Sequence, residues 1–152
     1  MIEEFVSRLD AGGALTGVEA SALARDRFGS ELLGLVWDEA SLHDVRAHLD
    51  ADQRHHQPMG IVHGGVWCSV IESAASLGAA LHGARDGKVL VGVSNSTDFL
   101  RQHRTGRIDA VAEPIHVGRT QHLWQVHLCR ATDGKVVARG QVRMQALVVE
   151  AR

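Results

Sequence analysis

Between Val62 and His82 the chain reads VHGGVWCSVIESAASLGAALH, and this stretch limits the available folds more than any other. Val66, Val70, Ala74, Leu77 and Leu81 recur at the helical period, and apolar or small residues also fill the opposite side. The spacing therefore predicts a helix buried nearly all round. Twenty residues at ~1.5 Å each span ~30 Å, about the width of a small domain. The helix is expected to end in GARDGK, with Gly83 as its C-terminal cap. Such a helix needs the rest of the chain wrapped around it.

The flanking segments supply the wrapping. Ile2 to Leu9 carries Phe5, Val6 and Leu9 on one face, and AGGALTG then breaks the pattern, so residues 1–29 read as a helical lead-in. Ser30 to Leu49 alternates like two strands joined around Asp38 to Ser41. Beyond Lys88 four strand-like runs follow, VLVGVSNSTDFL, RIDAVAEPIHV, HLWQVHLCRA and VVARGQVRMQALVV. Asp133-Gly134 marks a hairpin, and Pro114 suggests an edge or a bulge. The expected order is a strand pair, one long helix and a four-stranded antiparallel meander. A sheet of this size can cover a single apolar helix by curling about it. That arrangement is the α+β hot-dog fold, with 1–152 as a single domain.

Charge and composition remove several function classes. At 152 residues the chain suits one core, and its formal net charge of −2 leaves no footprint for nucleic acid or an anionic membrane. No apolar run reads as long enough to span a membrane, and MIEEFVSRLD lacks the features of a signal peptide, so the cytoplasm is expected. Cys68 and Cys129 form no CxxC pair and read as buried reduced thiols. His55, His56 and His63 raise a metal reading, but the adjacent pair diverges in extended chain and no HExxH occurs, so no metal is expected.

The central stretch also carries the candidate chemistry. Gly64 and Gly65 stand where the helix begins, and unpaired amides there suit an oxygen that gains negative charge. Tight helix entry explains the glycines equally well. Glu72 is a lone carboxylate in an apolar helix, which implies an ion pair, a solvent-facing side or a catalytic group. Ser76 follows one turn later as a candidate ligand for water. Gly64 and Glu72 are eight residues apart, ~12 Å along one helix, whereas groups acting on one carbonyl must converge within a few ångströms. If both act together, the amides of one chain meet Glu72 of another across an antiparallel dimer interface.

The run QPMGIVHGGVWCSVIESAAS resembles the signature of hot-dog thioesterases of the 4-hydroxybenzoyl-CoA and 1,4-dihydroxy-2-naphthoyl-CoA type, in the PaaI-like thioesterase superfamily. SNSTDFLR, GRIDAVAEPIHVGRTQHLWQV and DGKVVARGQVRMQ resemble the rest of that family's sheet, and the likeness covers Ser30 to Val148.

The resemblance implies hydrolysis of a small, aromatic acyl-CoA to free acid and CoA, with CoA as part of the substrate and no separate cofactor. It assigns Glu72 as nucleophile or general base, Gly64 (with Gly65 beside it) as the amide that polarises the thioester oxygen, and Gln57 as a second holder of that oxygen. His63 would shape the loop and Ser76 would position water. Arg101 and Arg119-Thr120 match positions near the CoA nucleotide. The tail LVVEAR departs from the more basic ends of some relatives, so Arg152 receives no role. The implied assembly is a homodimer with shared active sites, paired into a homotetramer. Two rivals remain: a non-catalytic acyl-CoA sensor and an acyl-CoA hydratase on the same fold.

Overall fold

The computed structural model describes residues 2–148, with side chains from Glu4 onward. Helix α1 spans Ile2–Asp10, strand β1 Leu15–Thr16 and helix α2 Gly17–Ala24. Thr16 caps α2 through a reciprocal pair of hydrogen bonds with Glu19. A π-helical turn, Arg27–Leu33, leads into β2 (Val36–Ala40) and β3 (Val45–Ala51). The long helix α3 is Gly64–Asp86, followed by β4 (Lys88–Phe99), β5 (Gly106–Val117), β6 (Gln121–Arg130) and β7 (Val136–Val148). All seven strands form one antiparallel sheet in the order β1-β2-β3-β5-β6-β7-β4. The sheet packs around α3, which touches β3, β4, β5, β6 and β7. This is the expected hot-dog architecture.

The last four strands are not a simple meander. β5, β6 and β7 follow one another, but β4 crosses to pair with β7 and becomes the sheet's edge. A chain leaving the end of α3 runs back along the helix, and β7 offers it a partner over Lys88↔Val148 to Phe99↔Ala138. The lead-in is helical as expected, with β1 as an added short strand. The first hairpin turns at Ser41 to Asp44 rather than Asp38 to Ser41. Ser41 Oγ there accepts the amide N–H groups of His43 and Asp44, a local turn competing with further pairing. Pro114 lies at a bulge, just past the last β3–β5 pair (Val45↔Ala112), where its missing N–H interrupts no ladder with β3.

Two expectations about α3 need correction. The helix runs on past Gly83 and ends at Gly87, whose φ of 66° and N–H to the Gly83 carbonyl make the cap. Gly83 serves packing instead: a Cβ there would lie 2.5 Å from Leu90 and 2.7 Å from the Lys88 carbonyl oxygen. Nor is α3 buried all round. Ile71, Leu81, Val70 and Ala74 sink into the sheet, each larger side chain contributing about 1.5–3 kcal/mol. Gly65, Ala80 and Ala84, with half-buried Cys68, Ser69, Glu72, Ser73 and Ser76, form an open stripe. The sheet curls around one side of the helix only, and small residues line the other. At 23 residues α3 also has the length and composition of a membrane span, which the sequence reading did not grant it; half of its most apolar window is buried inside this fold.

Near the far end of α3 the core holds two histidines. His82 is buried and its Nε2–H donates to the Leu42 carbonyl at 2.9 Å; His122 packs edge-on against it at 5.8 Å. Burial pushes both imidazoles below their ordinary value. For His82 the Leu42 bond and Asp86 oppose that effect while Arg85 and His43 add to it; for His122 the neighbours are His82, Asp86, Lys88 and the Gly118 backbone. The unfolded chain therefore binds protons first, so stability is full above about pH 6.5 and falls as acid increases toward the depressed native values. The urea midpoint should drop steadily from about pH 7.5 to pH 5; a flat profile would show that these rings do not stay neutral in the fold.

Candidate active site

The start of α3 is built for an unpaired amide. His63 is the N-cap, and its Nδ1 accepts the Gly65 N–H at 2.8 Å, while Val66 N–H bonds to the His63 carbonyl at 2.9 Å. Among the described residues no acceptor takes the Gly64 N–H. Phe99 packs directly over Gly64, where a Cβ would come within 2.6 Å of the ring. Gln57 accepts the Met59 N–H through Oε1, which leaves its side-chain NH₂ to donate. Gln57, Gly64 and Arg101 line one cleft of about 340 Å³, together with Trp67 and Phe99.

Glu72 lies elsewhere. Its Oε2 accepts from Asn95 Nδ2 on β4 at 2.8 Å, and the same amide reaches the Cys68 carbonyl at 3.1 Å. Asn95 thus ties the carboxylate to the helix. Gly92, at a bulge in β4, makes room for it, since a Cβ there would lie 2.3 Å from Oε1. Glu72 and Ser76 share a wider cleft of about 620 Å³ with Leu23, Trp37, Leu77 and Leu90. No residue is common to the two clefts. Within one chain the carboxylate and the Gly64 amide are separate, as eight helical residues require.

A strand such as β4 tolerates alanine, so Gly92→Ala should fold normally while its methyl displaces the carboxylate. If Glu72 is the reacting carboxylate, a misplacement of this size is expected to lower kcat/KM by about 10²-fold. Steady-state kinetics beside a thermal melt checks it, and unchanged turnover would show that Glu72 has freedom to move.

The remaining candidates divide between the ends of the sheet. Arg101 donates to the Val136 carbonyl at 2.6 Å, next to the Gly64 cleft. Arg119 and Thr120 form the exposed β5–β6 turn at the other end; the Arg119 carbonyl accepts from Lys88 Nζ at 2.9 Å and the Thr120 carbonyl from the Ala146 N–H at 2.8 Å. Val136 and Ala146 are ten residues apart on β7, roughly 33 Å at ~3.3 Å per residue. Of the histidines weighed for metal, His55 donates to the Leu33 carbonyl and accepts the Asp52 N–H, and His56 bonds to the Arg104 carbonyl. Among the described residues no three His, Cys, Asp or Glu side chains gather as a metal site. Cys68 and Cys129 are free, half-buried thiols, and burial pushes the Cys129 thiol up. Asn95, Gly92 and Phe99 escaped the sequence reading. Their segment was noted only as sheet, because nothing local tells which strand residue will face a helix 23 positions earlier.

The profile of the family described as the thioesterase superfamily matches residues 59–137, more than half of the chain. The chain belongs to the thioesterase superfamily. The thioesterase is 48% identical over 122 residues to Rv1847 of Mycobacterium tuberculosis, provisionally named an esterase, covering 79% of this chain and 86% of that one. The solved structure of that relative superposes with a TM-score of 0.77 at 43% identity, over 80% and 98% of the two chains. A variant of the Pseudomonas aeruginosa thioesterase PA1618 gives a TM-score of 0.81 at 30% identity, over 89% and 96%. The proofreading thioesterase EntH of Cronobacter sakazakii is 32% identical over 96 residues, 63% of this chain and 69% of its own. The protein is a thioester hydrolase.

Proposed function

We propose that this thioesterase hydrolyses a small aromatic acyl-CoA, with Glu72 of one protomer and the Gly64 amide of another acting on the same carbonyl, in the manner of the 4-hydroxybenzoyl-CoA type. The observation that carries this reading is the division of one reaction's groups between two clefts of a single chain. Glu72 attacks the thioester carbon or activates water, Ser76 helps to hold that water, and Gly64 N–H with Gln57 Nε2–H steadies the oxygen as charge develops there. A thioester lacks the resonance of an oxygen ester, so a carboxylate with preorganised donors is sufficient chemistry. His63 keeps the amides in place.

The sheet supports the dimer. β4 is a long edge with Val89, Val91, Val93 and Phe99 38–57% exposed, an unpaired apolar ladder of the kind that recruits a second copy. Antiparallel pairing of two β4 strands about a twofold axis covers that edge and the open stripe of α3. It also reverses one protomer against the other, so that the Arg119-Thr120 turn of one comes to the Arg101 end of its mate. Two such dimers would form the tetramer, in the cytoplasm.

Charge supports CoA. Arg101 also lines an adjoining cleft of about 670 Å³ with Arg104, Arg107 and Arg130; Arg107 is paired with Asp109 and Arg130 with Asp133, whereas Arg101 and Arg104 hold only backbone carbonyls among the described residues. Phosphates attached to the leaving thiol are suited to that cleft. Moving an acyl group from CoA to N-acetylcysteamine, which has no phosphate, should raise KM at least about 10-fold. Arg101→Ala should raise KM for the CoA thioester and leave the truncated one unaffected; equal KM values for both thiols would remove CoA from the reading.

A further inference from the structure

Gln57 lines the Gly64 cleft from a tight turn. Its carbonyl accepts the Gly60 N–H at 2.9 Å and its own N–H donates to the Ile61 carbonyl at 2.9 Å, with Pro58 and Gly60 at the places where such a turn favours them. The Gln57 side chain closes on the same turn through the Met59 N–H. Among the described residues, every hydrogen bond that reaches residues 57–61 from outside comes from one side chain, that of Arg104 in the connection between β4 and β5. Arg104 Nη1 donates to the Gly60 carbonyl at 2.8 Å and to the Met59 carbonyl at 3.4 Å. The approach is close, since Gly60 is left-handed (φ 72°) and a Cβ there would stand 3.1 Å from Nη1. The main chain beside it holds the base of the turn. The Arg104 carbonyl accepts His56 Nε2–H at 2.6 Å, and the His103 carbonyl accepts the Val62 N–H at 2.8 Å. An exposed, flexible cation has thus given up rotamer freedom to hold two carbonyls of the loop that carries Gln57.

We propose that Arg104 is a positioning residue for thioester hydrolysis: by fastening the Met59–Gly60 end of the turn, it fixes where the Gln57 amide points. The inference rests on the reading of Gln57 as a holder of the thioester oxygen and adds the group that aims it. A donor to a developing oxyanion is effective when it is preorganised. A turn released from Arg104 has to find that geometry during the reaction, which lowers kcat more than it weakens ground-state binding. Arg104 also lines the cleft suited to phosphates, and a role confined to them would instead appear in KM for the CoA thioester.

The test is a double-mutant cycle in kcat, run on one acyl group carried by CoA and by N-acetylcysteamine, with a thermal melt of each variant. Arg104→Met keeps an aliphatic stem and removes the donors. It should lower kcat about 10-fold or more on both thioesters alike, since the phosphate-free substrate needs the same oxyanion donor. Gln57→Ala should lower kcat about 10²-fold. The double variant should stay within about 3-fold of Gln57→Ala, because Arg104 then has nothing left to aim. Losses that multiply in the double variant, the mark of a merely structural role, overturn the proposal. So does a kcat loss confined to the CoA thioester, or a parental kcat in Arg104→Met. A parental kcat in Gln57→Ala removes Gln57 from the proposed function, and this inference with it.

Discussion

Glu72→Gln should reduce kcat by about 10³-fold or more while leaving the thermal melt and substrate binding close to those of the parent. The substitution keeps the side chain's length and its acceptor for Asn95 Nδ2, so the local hydrogen bond at 2.8 Å can persist. What disappears is the negative charge and the ability to take a proton or attack carbon. Because the carboxylate faces a half-open cleft rather than the sealed core, removing its charge relieves no buried ion pair and should not raise stability much. Single-turnover thiol release, with binding followed separately, isolates the chemical step. Hydrolysis within a few-fold of the parent would show that another group carries it.

The second large effect concerns the assembly. Gly64→Val drives a side chain into Phe99, whose ring already stands 2.6 Å from a modest Cβ, and should inactivate the site by closing it. Glu72→Gln inactivates it by removing the carboxylate. Mixed and allowed to exchange, the two dead proteins should recover about one quarter of parental activity, since half of the dimers are mixed and each of these has one intact site. In such a pair one protomer contributes the good glycine and the other the good glutamate. Sites contained within single chains would recover nothing, so a mixture that stays inactive after demonstrated subunit exchange refutes the shared site.

The candidate residues were readable from the sequence to the degree that their logic is local. Gln57, His63, Gly64, Glu72 and Ser76 lie within 20 residues, around one helix and its entry loop, and helical period places them relative to one another before any tertiary contact is known. Asn95 and Gly92 were not readable, because their roles arise from β4 lying across α3 at a bulge.

By itself the sequence determined the central helix, the main strands and therefore the hot-dog class, since hydrophobic period and turn chemistry act over neighbouring residues. The crossing of β4 to β7, the continuation of α3 to Gly87 and the open stripe of that helix were decided only by the tertiary structure. A strand's choice of neighbour depends on which edge is free when the sheet closes, and a helix face is buried or bare according to how far that sheet can curl. Neither quantity is written in any short window of residues.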